Sequence, residues 1–203
     1  MIKCEVTVCA KINRAAMVKE TNDGQRFLSF GVQLPIKGRD GSSLLTNISV
    51  TLDGGEDDKQ TYTIGQRVRV LGNMTIRKKG DKTFFNLRGD GGVELCKSTE
   101  EDSIEGTIDF KGKIGKKGVV NNTDKKGRPF KSFSAFSTDK DGDDTHFTWV
   151  RFLHFKQKED EDFLTANSYI EVSGTLQLGV FHDEISLDCR VDEIKKWELQ
   201  PKI

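Results

Sequence analysis

The sequence predicts an all-β protein made of two small barrels in tandem. Three observations support this prediction: apolar and polar residues alternate along short segments, glycine-containing turn signals separate these segments, and the same blocks recur in both halves of the chain. The length of 203 residues accommodates two domains of about 100 residues each.

An internal repeat defines the domain organisation. Four blocks occur in the same order in both halves, starting at residues 24, 47, 66 and 85 and again at residues 127, 149, 168 and 185. The offset is 103, 102, 102 and 100 residues, which a turn two residues shorter in the second copy explains. Such a pattern indicates a tandem duplication. Because Ser98–Ser103 is short, polar and acidic, we predict a first domain at 1–98, a linker at 99–103 and a second domain at 104–203.

Within each unit the dominant hydrophobic period is two, which indicates strands with one buried face. In the first unit the alternating apolar residues are Val6/Val8, Phe30/Val32/Leu34, Ile48/Val50/Leu52 and Val68/Val70. A stretch compatible with a short helix follows the third strand, at Asp57–Ile64 in the first copy and at Glu159–Ala166 in the second. Five strands with a helix after the third is the order of an OB-fold, a small Greek-key barrel. The predicted fold is therefore two tandem OB-fold barrels.

The charge balance excludes a protein that binds nucleic acid through a generally basic surface. The chain carries 32 basic and 32 acidic residues. Residues 1–98 hold 16 basic and 11 acidic residues, net +5, whereas residues 99–203 hold 16 and 21, net −5. Any attraction for phosphate must therefore come from local patches.

The sequence lacks the patterns that enzymes and metalloproteins need. Cys4, Cys9, Cys96 and Cys189 stand far apart without a Cys-x-x-Cys pair, so we interpret them as reduced thiols. The histidines lack metal-ligand spacing, and no nucleophile with a neighbouring base is recognisable. We predict a protein that is not an enzyme and that uses no cofactor and no metal. The absence of a long apolar segment and of a signal peptide predicts no membrane span and a cytoplasmic location.

Aromatic residues are concentrated in the second unit, where seven of the seventeen lie between positions 130 and 155. Strand parity places Val150 and Phe152 in the core and turns their neighbours outward. The outward residues are Phe136, Trp149, Arg151 and Phe155. Rings beside a cation suit unpaired nucleic acid, since every base offers a π-face and every nucleotide a phosphate. Packing of the same rings against another domain or subunit is an equally open interpretation at this point.

A family resemblance favours the first interpretation. Thr148–Phe155 and the later Tyr169–Gly174 resemble the T-x-W-x-x-x-x-x-F and V-x-V-x-G strands of the bacterial-type single-stranded DNA-binding proteins, and Gly127–Ser134 is similar to their preceding strand. The resemblance implies single-stranded DNA as the partner. It also implies base stacking on Trp149, Phe155 and Phe181, with Arg151 as a basic residue on the same face.

The first unit departs from this pattern, because Asn47, Ser49 and Asp53 occupy the places of the stacking and basic residues. Its last two strands carry a basic set instead, which we interpret as contacts for the phosphate backbone or as an ordinary solvated hairpin. This set contains Arg67, Arg69, Arg77, Lys78, Lys79 and Arg88. We therefore hypothesise that the second barrel binds the bases and that the first barrel binds the phosphates.

The predicted function is to coat and protect single-stranded DNA, with little sequence preference, during replication, recombination or repair. Members of the family usually present four barrels per assembly, so the resemblance implies a homodimer of this two-barrel chain. They typically end in a tail with an acidic tip that recruits partners, whereas this sequence stops at Ile203. We therefore expect any replication or recombination partner to bind elsewhere, as in a phage- or plasmid-encoded member. An OB-fold module that binds another protein and an RNA-binding OB protein are the alternatives.

Overall fold

The computed structural model describes residues 2–38, 40–79, 82–141, 144–156 and 161–198. Within these residues the chain forms eleven β-strands and a six-residue 3-10 helix at Glu56–Thr61. The first half contains β1 (Ile2–Glu20), β2 (Arg26–Lys37), β3 (Ser43–Asp53), β4 (Arg67–Lys79) and β5 (Lys82–Leu95). The second half contains β6 (Ser103–Ile114), β7 (Val120–Thr123), β8 (Pro129–Asp141), β9 (Asp144–His154), β10 (Tyr169–Phe181) and β11 (Glu184–Lys196).

The first five strands close into a barrel. The long strand β1 pairs antiparallel with β4 through its first half and with β2 through its second half. β2 pairs with β3, β3 runs parallel to β5, and β5 pairs with β4. The closed order β1-β2-β3-β5-β4 is the five-stranded Greek-key barrel of the OB-fold.

The second half repeats this circuit. β6 pairs with β10 and, at its end, with β8, while β8 pairs with β9, β9 runs parallel to β11, and β11 pairs with β10. β7 follows β6 after a turn at residues 115–118 and pairs with β8. It corresponds to the end of β1, which pairs with β2 in the first barrel. The prediction of an all-β chain with two tandem OB barrels is confirmed.

Equivalent backbone hydrogen bonds support the duplication. The Ile12 amide donates to the Gln66 carbonyl at 2.8 Å, and 102 residues later Ile114 donates to Ser168 at 2.9 Å. The residues before these acceptors, Gly65 and Asn167, have φ angles of 88° and 69°. Glycine adopts this left-handed region freely, and asparagine is among the residues that tolerate it best.

The two barrels are joined edge to edge by their first strands. β1 and β6 pair antiparallel from Ile2 opposite Phe110 to Cys9 opposite Ser103. At the centre of this ladder Glu5 pairs with Thr107, its own equivalent 102 residues later. The barrels are therefore related by a pseudo-two-fold axis between these strands, and their backbone hydrogen bonds form one continuous eleven-stranded sheet.

The segment between β5 and β6 is held against the first barrel. The Cys96 amide donates to the Arg67 carbonyl at 2.9 Å, and ion pairs join Arg67 to Asp102 and Arg69 to Glu100. We propose that the boundary between the two domains lies in this segment, as the polar linker of the sequence suggests. Its ion pairs fix this segment to the first barrel.

The cores follow the alternation seen in the sequence. Val150 and Phe152 are fully buried, as strand parity predicts, and the Phe152 ring packs against Phe110 and Phe133 at 5.0 and 5.1 Å between centroids. Burial raises the pKa of the Cys4 and Cys189 thiols to about 12. No helix in the described ranges is long and apolar enough to cross a membrane.

The two predicted helices differ from expectation. The first copy forms only the 3-10 helix Glu56–Thr61. In the second copy residues 159 and 160 lie outside the described residues, and 161–166 form turns. Glu161 is buried there and contacts Lys131 of β8 and His154 of β9.

Candidate nucleic-acid interface

The outward-facing aromatic residues of β8 and β9 lie on one outer surface of the second barrel, formed by β8, β9 and β11. β8 and β9 pair antiparallel with Phe136 opposite Trp149 and Ser134 opposite Arg151. Because successive side chains of a strand point to opposite faces, these four residues share the outside of the barrel. We call this surface the aromatic face; its rings and cation are Phe130, Phe136, Phe147, Trp149, Arg151 and Phe155.

Trp149 belongs to a first ring cluster, in which Phe136 is the central ring. The ring centroid of Trp149 lies 4.9 Å from that of Phe136, which in turn lies 5.4 Å from that of Phe147. Trp149 and Phe147 are 50% and 48% exposed. The indole also lies against Gly115, where a Cβ atom would come within 3.0 Å of Cζ3. The ring is thus held in place by its neighbours and still open to a ligand.

Phe155 belongs to a second ring cluster at the other end of the same strands. It stacks on Phe130 with 4.8 Å between centroids and 23° between the ring planes. The guanidinium carbons of Arg128 and Arg190 lie 5.7 and 5.3 Å from the centroid of Phe155. Neither arginine is among the site residues predicted from the sequence. Alternation along β11 places Arg190 on this face and could have predicted it. Arg128 precedes β8, so no strand pattern points to it.

Arg151 lies between the two clusters but is already paired. Its Nε donates to Asp188 Oδ1 at 3.0 Å, and a second guanidinium nitrogen contacts Oδ2. The Arg151 side chain is 41% exposed and the Asp188 side chain only 9%. The acid therefore fixes the guanidinium in place and offsets part of its charge.

Phe181 and the aromatic face line a common cavity of about 770 Å³. Trp149, Arg151 and Phe181 all line it, so three of the residues predicted from sequence meet there. Phe181 is 66% exposed at the end of β10, just before the hairpin turn. The loop before β3 in the first barrel contributes Asp40 to the same cavity.

A buried polar group supports the end of β9 beneath Phe155. His154 is buried, as its parity predicts, and its Nε2 lies 2.7 Å from Glu161 Oε1. The ammonium of Lys131 donates to the other oxygen of this carboxylate at 3.1 Å. Both partners hold Glu161 against the barrel, next to the end of the strand that carries the rings.

The basic residues predicted for the first barrel do not form one open surface. Arg67 is only 8% exposed and is paired with Asp102; although burial lowers the pKa of its guanidinium, this acid raises it above the usual value. We therefore correct the prediction and remove Arg67 from the phosphate-binding set. Arg69 pairs with Glu100, Lys78 with Glu184 and Arg88 with Asp53.

Arg77 remains the most exposed of the described set, at 70%, with Asp139 at 3.9 Å. Arg88 and Arg69 are also accessible, with side chains 58% and 44% exposed, in spite of their partners. The side chain of Lys79 lies outside the described residues, so its role stays a prediction.

A group of possible metal ligands lies at the segment that joins the barrels. In the described part of the chain Cys9, Cys96 and Glu100 have ligand atoms within 4.8 Å of one another. Glu100 is already engaged, since it pairs with Arg69 and its other oxygen accepts the Lys97 amide at 3.3 Å. We interpret the group as part of the contacts that hold this segment to the first barrel. All four cysteines of the chain are free thiols.

Comparison with known proteins gives a likeness in structure alone. No protein-family model matches the chain, and no curated protein matches it in sequence. The wild-type single-stranded DNA binding protein from Thermus aquaticus superposes with a TM-score of 0.50 at 14% identity, over 98% of this chain and 95% of that one. A deletion mutant of that protein gives a TM-score of 0.50 at 15% identity, over 98% of both chains. The chain therefore shares its two-barrel OB architecture with these structures over almost its whole length.

Proposed function

We propose that this chain binds single-stranded DNA on the aromatic face of its second barrel. The observation that carries the proposal is the placement of two ring clusters on one strand pair, with arginines between and beside them. Trp149 and Phe147 of the first cluster are exposed, and the rings of the second cluster are partly buried. The two-barrel fold shared with the Thermus aquaticus protein, whose name states that it binds single-stranded DNA, supports it.

Bases would stack on Trp149, Phe136, Phe155 and Phe181. From Phe147 to Phe155 the strand covers eight residue steps, or about 26 Å, which is long enough for a row of several nucleotides. Stacking contributes about 1–3 kcal/mol per base and tolerates any sequence, because every base has a π-face. The surface thus suits binding with little sequence preference.

Phosphates would be held by arginines beside the rings. Arg128 and Arg190 flank Phe155, and Arg151 contributes the part of its charge that Asp188 leaves available. On the first barrel the accessible residues of the predicted set would extend the path. These are Arg69, Arg77 and Arg88. Lys78, which is paired with Glu184, and Lys79 stay predictions from sequence.

In a cell the protein would coat single-stranded DNA and protect it during replication, recombination or repair. We place it in the cytoplasm of a bacterium or of a phage-infected host, as a non-enzymatic binding protein. A homodimer with four barrels is the proposed assembly. Sedimentation velocity would test it: a species near 46 kDa, twice the 22.8 kDa chain, is expected, and a 22.8 kDa species would contradict it.

The direct test compares wild type with Trp149→Ala. Anisotropy of a fluorescent oligo-dT of about 30 nucleotides, measured at two salt concentrations, gives the dissociation constants. We expect the variant to bind about 5- to 150-fold more weakly, which corresponds to the loss of one stacked base at ~1–3 kcal/mol. Trp197→Ala is the matched control, since this second tryptophan lies outside β8 and β9 and contacts Tyr169.

Salt dependence separates DNA binding from a protein interface. Each phosphate contact on a single strand lowers log K by about 0.7 per unit of log salt concentration, whereas an apolar protein interface responds little. A folded wild-type protein that does not bind oligo-dT at low salt would contradict the proposal, and the rings would then belong to a protein interface. Competition with an oligo-U of the same length tests the preference for DNA over RNA.

A further inference from the structure

The first barrel contains a groove on the surface equivalent to the aromatic face. β3 and β5 are hydrogen-bonded only between Ile48–Thr51 and Phe85–Arg88, so the starts of the two strands diverge. The space between them is a cavity of about 480 Å³. Asn13, Leu45, Asn47, Phe84 and Asn86 are among the residues that line it.

Phe84 provides an open ring in this groove. Its neighbours Phe85 and Leu87 are buried, and alternation along β5 turns Phe84 outward, where it is 47% exposed. The equivalent residue of the second barrel, 100 residues later, is Glu184. The first barrel thus presents its ring on β5, whereas the second barrel presents its rings on β8 and β9.

Side-chain amides line the same groove as this ring. Asn13 Nδ2 donates to Asn47 Oδ1 at 2.7 Å, and Gln33 Nε2 donates to the same oxygen at 3.1 Å. These two donors fix the Asn47 amide with its oxygen engaged, so its NH₂ group is the part left to meet a ligand. Asn86 lies two residues after Phe84 on the same face of β5. Amides pair with the edges of nucleobases, and aromatic rings stack on their faces.

The groove opens onto a second cavity beside the β8–β9 hairpin. This cavity of about 260 Å³ shares Phe84 and Asn86 with the groove, and it is also lined by Arg77 and Lys78 of the first barrel and by Asp139, Lys140 and His146 of the hairpin. The same hairpin carries Phe147 and Trp149. A DNA strand that crosses from the aromatic face over this hairpin would meet Arg77 and Lys140, with Asp139 beside Arg77, on its way to Phe84.

The charges at the groove favour a base over a phosphate as its occupant. Arg14 and Lys82 line it, but Asp183 and Glu184 lie at its edge, and Glu184 is paired with Lys78 at 2.8 Å. This near balance disfavours burial of an anion, whereas a neutral base meets a ring and amides. Phosphates of the same strand would remain in the second cavity, near Arg77 and Lys140.

We propose that this groove binds one nucleobase of the single strand, with Phe84 stacking on the base and the amides of Asn47, Asn13 and Asn86 pairing with its edge. The inference rests on the proposed function and adds to it a base-reading site on the first barrel. Because amides distinguish donors from acceptors, the site gives the protein a preference among bases that stacking alone does not provide.

The test measures oligo-dT binding by Phe84→Ala beside Leu71→Ala. Leu71 is equally exposed, at 47%, and lies on β4 of the same barrel outside the groove. We expect Phe84→Ala to bind about 5- to 150-fold more weakly and Leu71→Ala to bind within twofold of wild type. Phe84→Leu keeps an apolar side chain but lacks the π-face, so it should also bind oligo-dT more weakly than wild type. This variant controls for loss of folding.

Base preference supplies the second readout. Wild type and Asn47→Ala are compared on oligo-dT, oligo-dC and oligo-dA of equal length, and the variant should reduce the spread of the three dissociation constants at least threefold. If Phe84→Ala binds like wild type while Trp149→Ala is weakened, the groove proposal is overturned and the function stands. If wild type binds none of the oligomers, both fail.

Discussion

At the scale of single residues, the pairing of Arg151 with Asp188 sets how strongly the aromatic face attracts phosphate. A guanidinium held by two hydrogen bonds to one carboxylate is well oriented, but much of its charge is offset. The face therefore gains more from its rings than from this arginine. This balance is consistent with a second barrel whose net charge is negative.

The first prediction concerns this pair. Asp188→Asn keeps the shape of the side chain but removes its charge, so Arg151 becomes available for a phosphate. We expect tighter binding of oligo-dT and a salt slope steeper by about 0.7, measured by anisotropy between two salt concentrations. Asp192→Asn, which breaks the exposed pair with Lys156, is the control, and equal slopes for both variants would rule out the account of Arg151.

At the scale of elements, the β10–β11 hairpin contains a strained turn. His182 and Asp183 have φ angles of 50° and 59°, the left-handed region that a two-residue hairpin turn of type I′ requires at both central positions. Glycine and asparagine suit such turns better than histidine and aspartate. The hairpin places Phe181 beside Trp149, so the turn shapes the site as well as the strand pair.

A second prediction follows for this turn. Asp183→Gly should raise the free energy of unfolding by up to about 1 kcal/mol, because glycine has no Cβ to strain in this conformation while it adds some entropy to the unfolded chain. Urea denaturation would measure the change. Gly179→Ala in the same hairpin is the contrasting substitution, since Gly179 has no positive φ, and a drop in stability for Asp183→Gly would contradict the account.

The elements also show what the sequence could predict. Alternation assigns a strand to a face, so the outward positions of Trp149 and Arg151 and the burial of His154 followed directly from the pattern. Partners across the barrel do not follow from it: Asp188 meets Arg151 through the parallel β9–β11 pairing, 37 residues away. The burial of Arg67 was missed for the same reason, because Asp102 lies in another part of the chain.

The Phe84 groove does not follow from the likeness between the two units. The places of Trp149 and Phe155 hold Asn47 and Asp53 in the first unit, whose outward ring lies on the neighbouring strand instead. Exposure of Phe84 follows from alternation along β5, but the divergence of β3 and β5 that opens a cavity beside it is visible only in three dimensions.

At the scale of the whole molecule, the β1–β6 ladder makes the two barrels one structural unit. Cys4, Val6 and Val8 of β1 are buried, and the same stretch pairs with β4 on one side and β6 on the other. Unfolding one barrel would expose an edge strand of the other. We therefore expect the barrels to unfold together.

A third prediction tests this coupling with the natural probes. Both tryptophans, Trp149 and Trp197, belong to the second barrel, whereas far-ultraviolet circular dichroism reports strands of both. Urea unfolding curves from fluorescence and from circular dichroism should coincide, as a cooperative transition requires. A circular dichroism transition that is displaced from the fluorescence transition would show that the barrels unfold independently.

The central claim is that bases stack on Trp149, and fluorescence of this residue tests it most directly. In the Trp197→Phe variant Trp149 is the only tryptophan, so its emission can be followed while oligo-dT of about 30 nucleotides is added. The account predicts strong quenching that saturates with the same dissociation constant as anisotropy, because a stacked base lies against the indole. Saturated binding with unchanged Trp149 emission would place the DNA elsewhere on the protein and contradict the account.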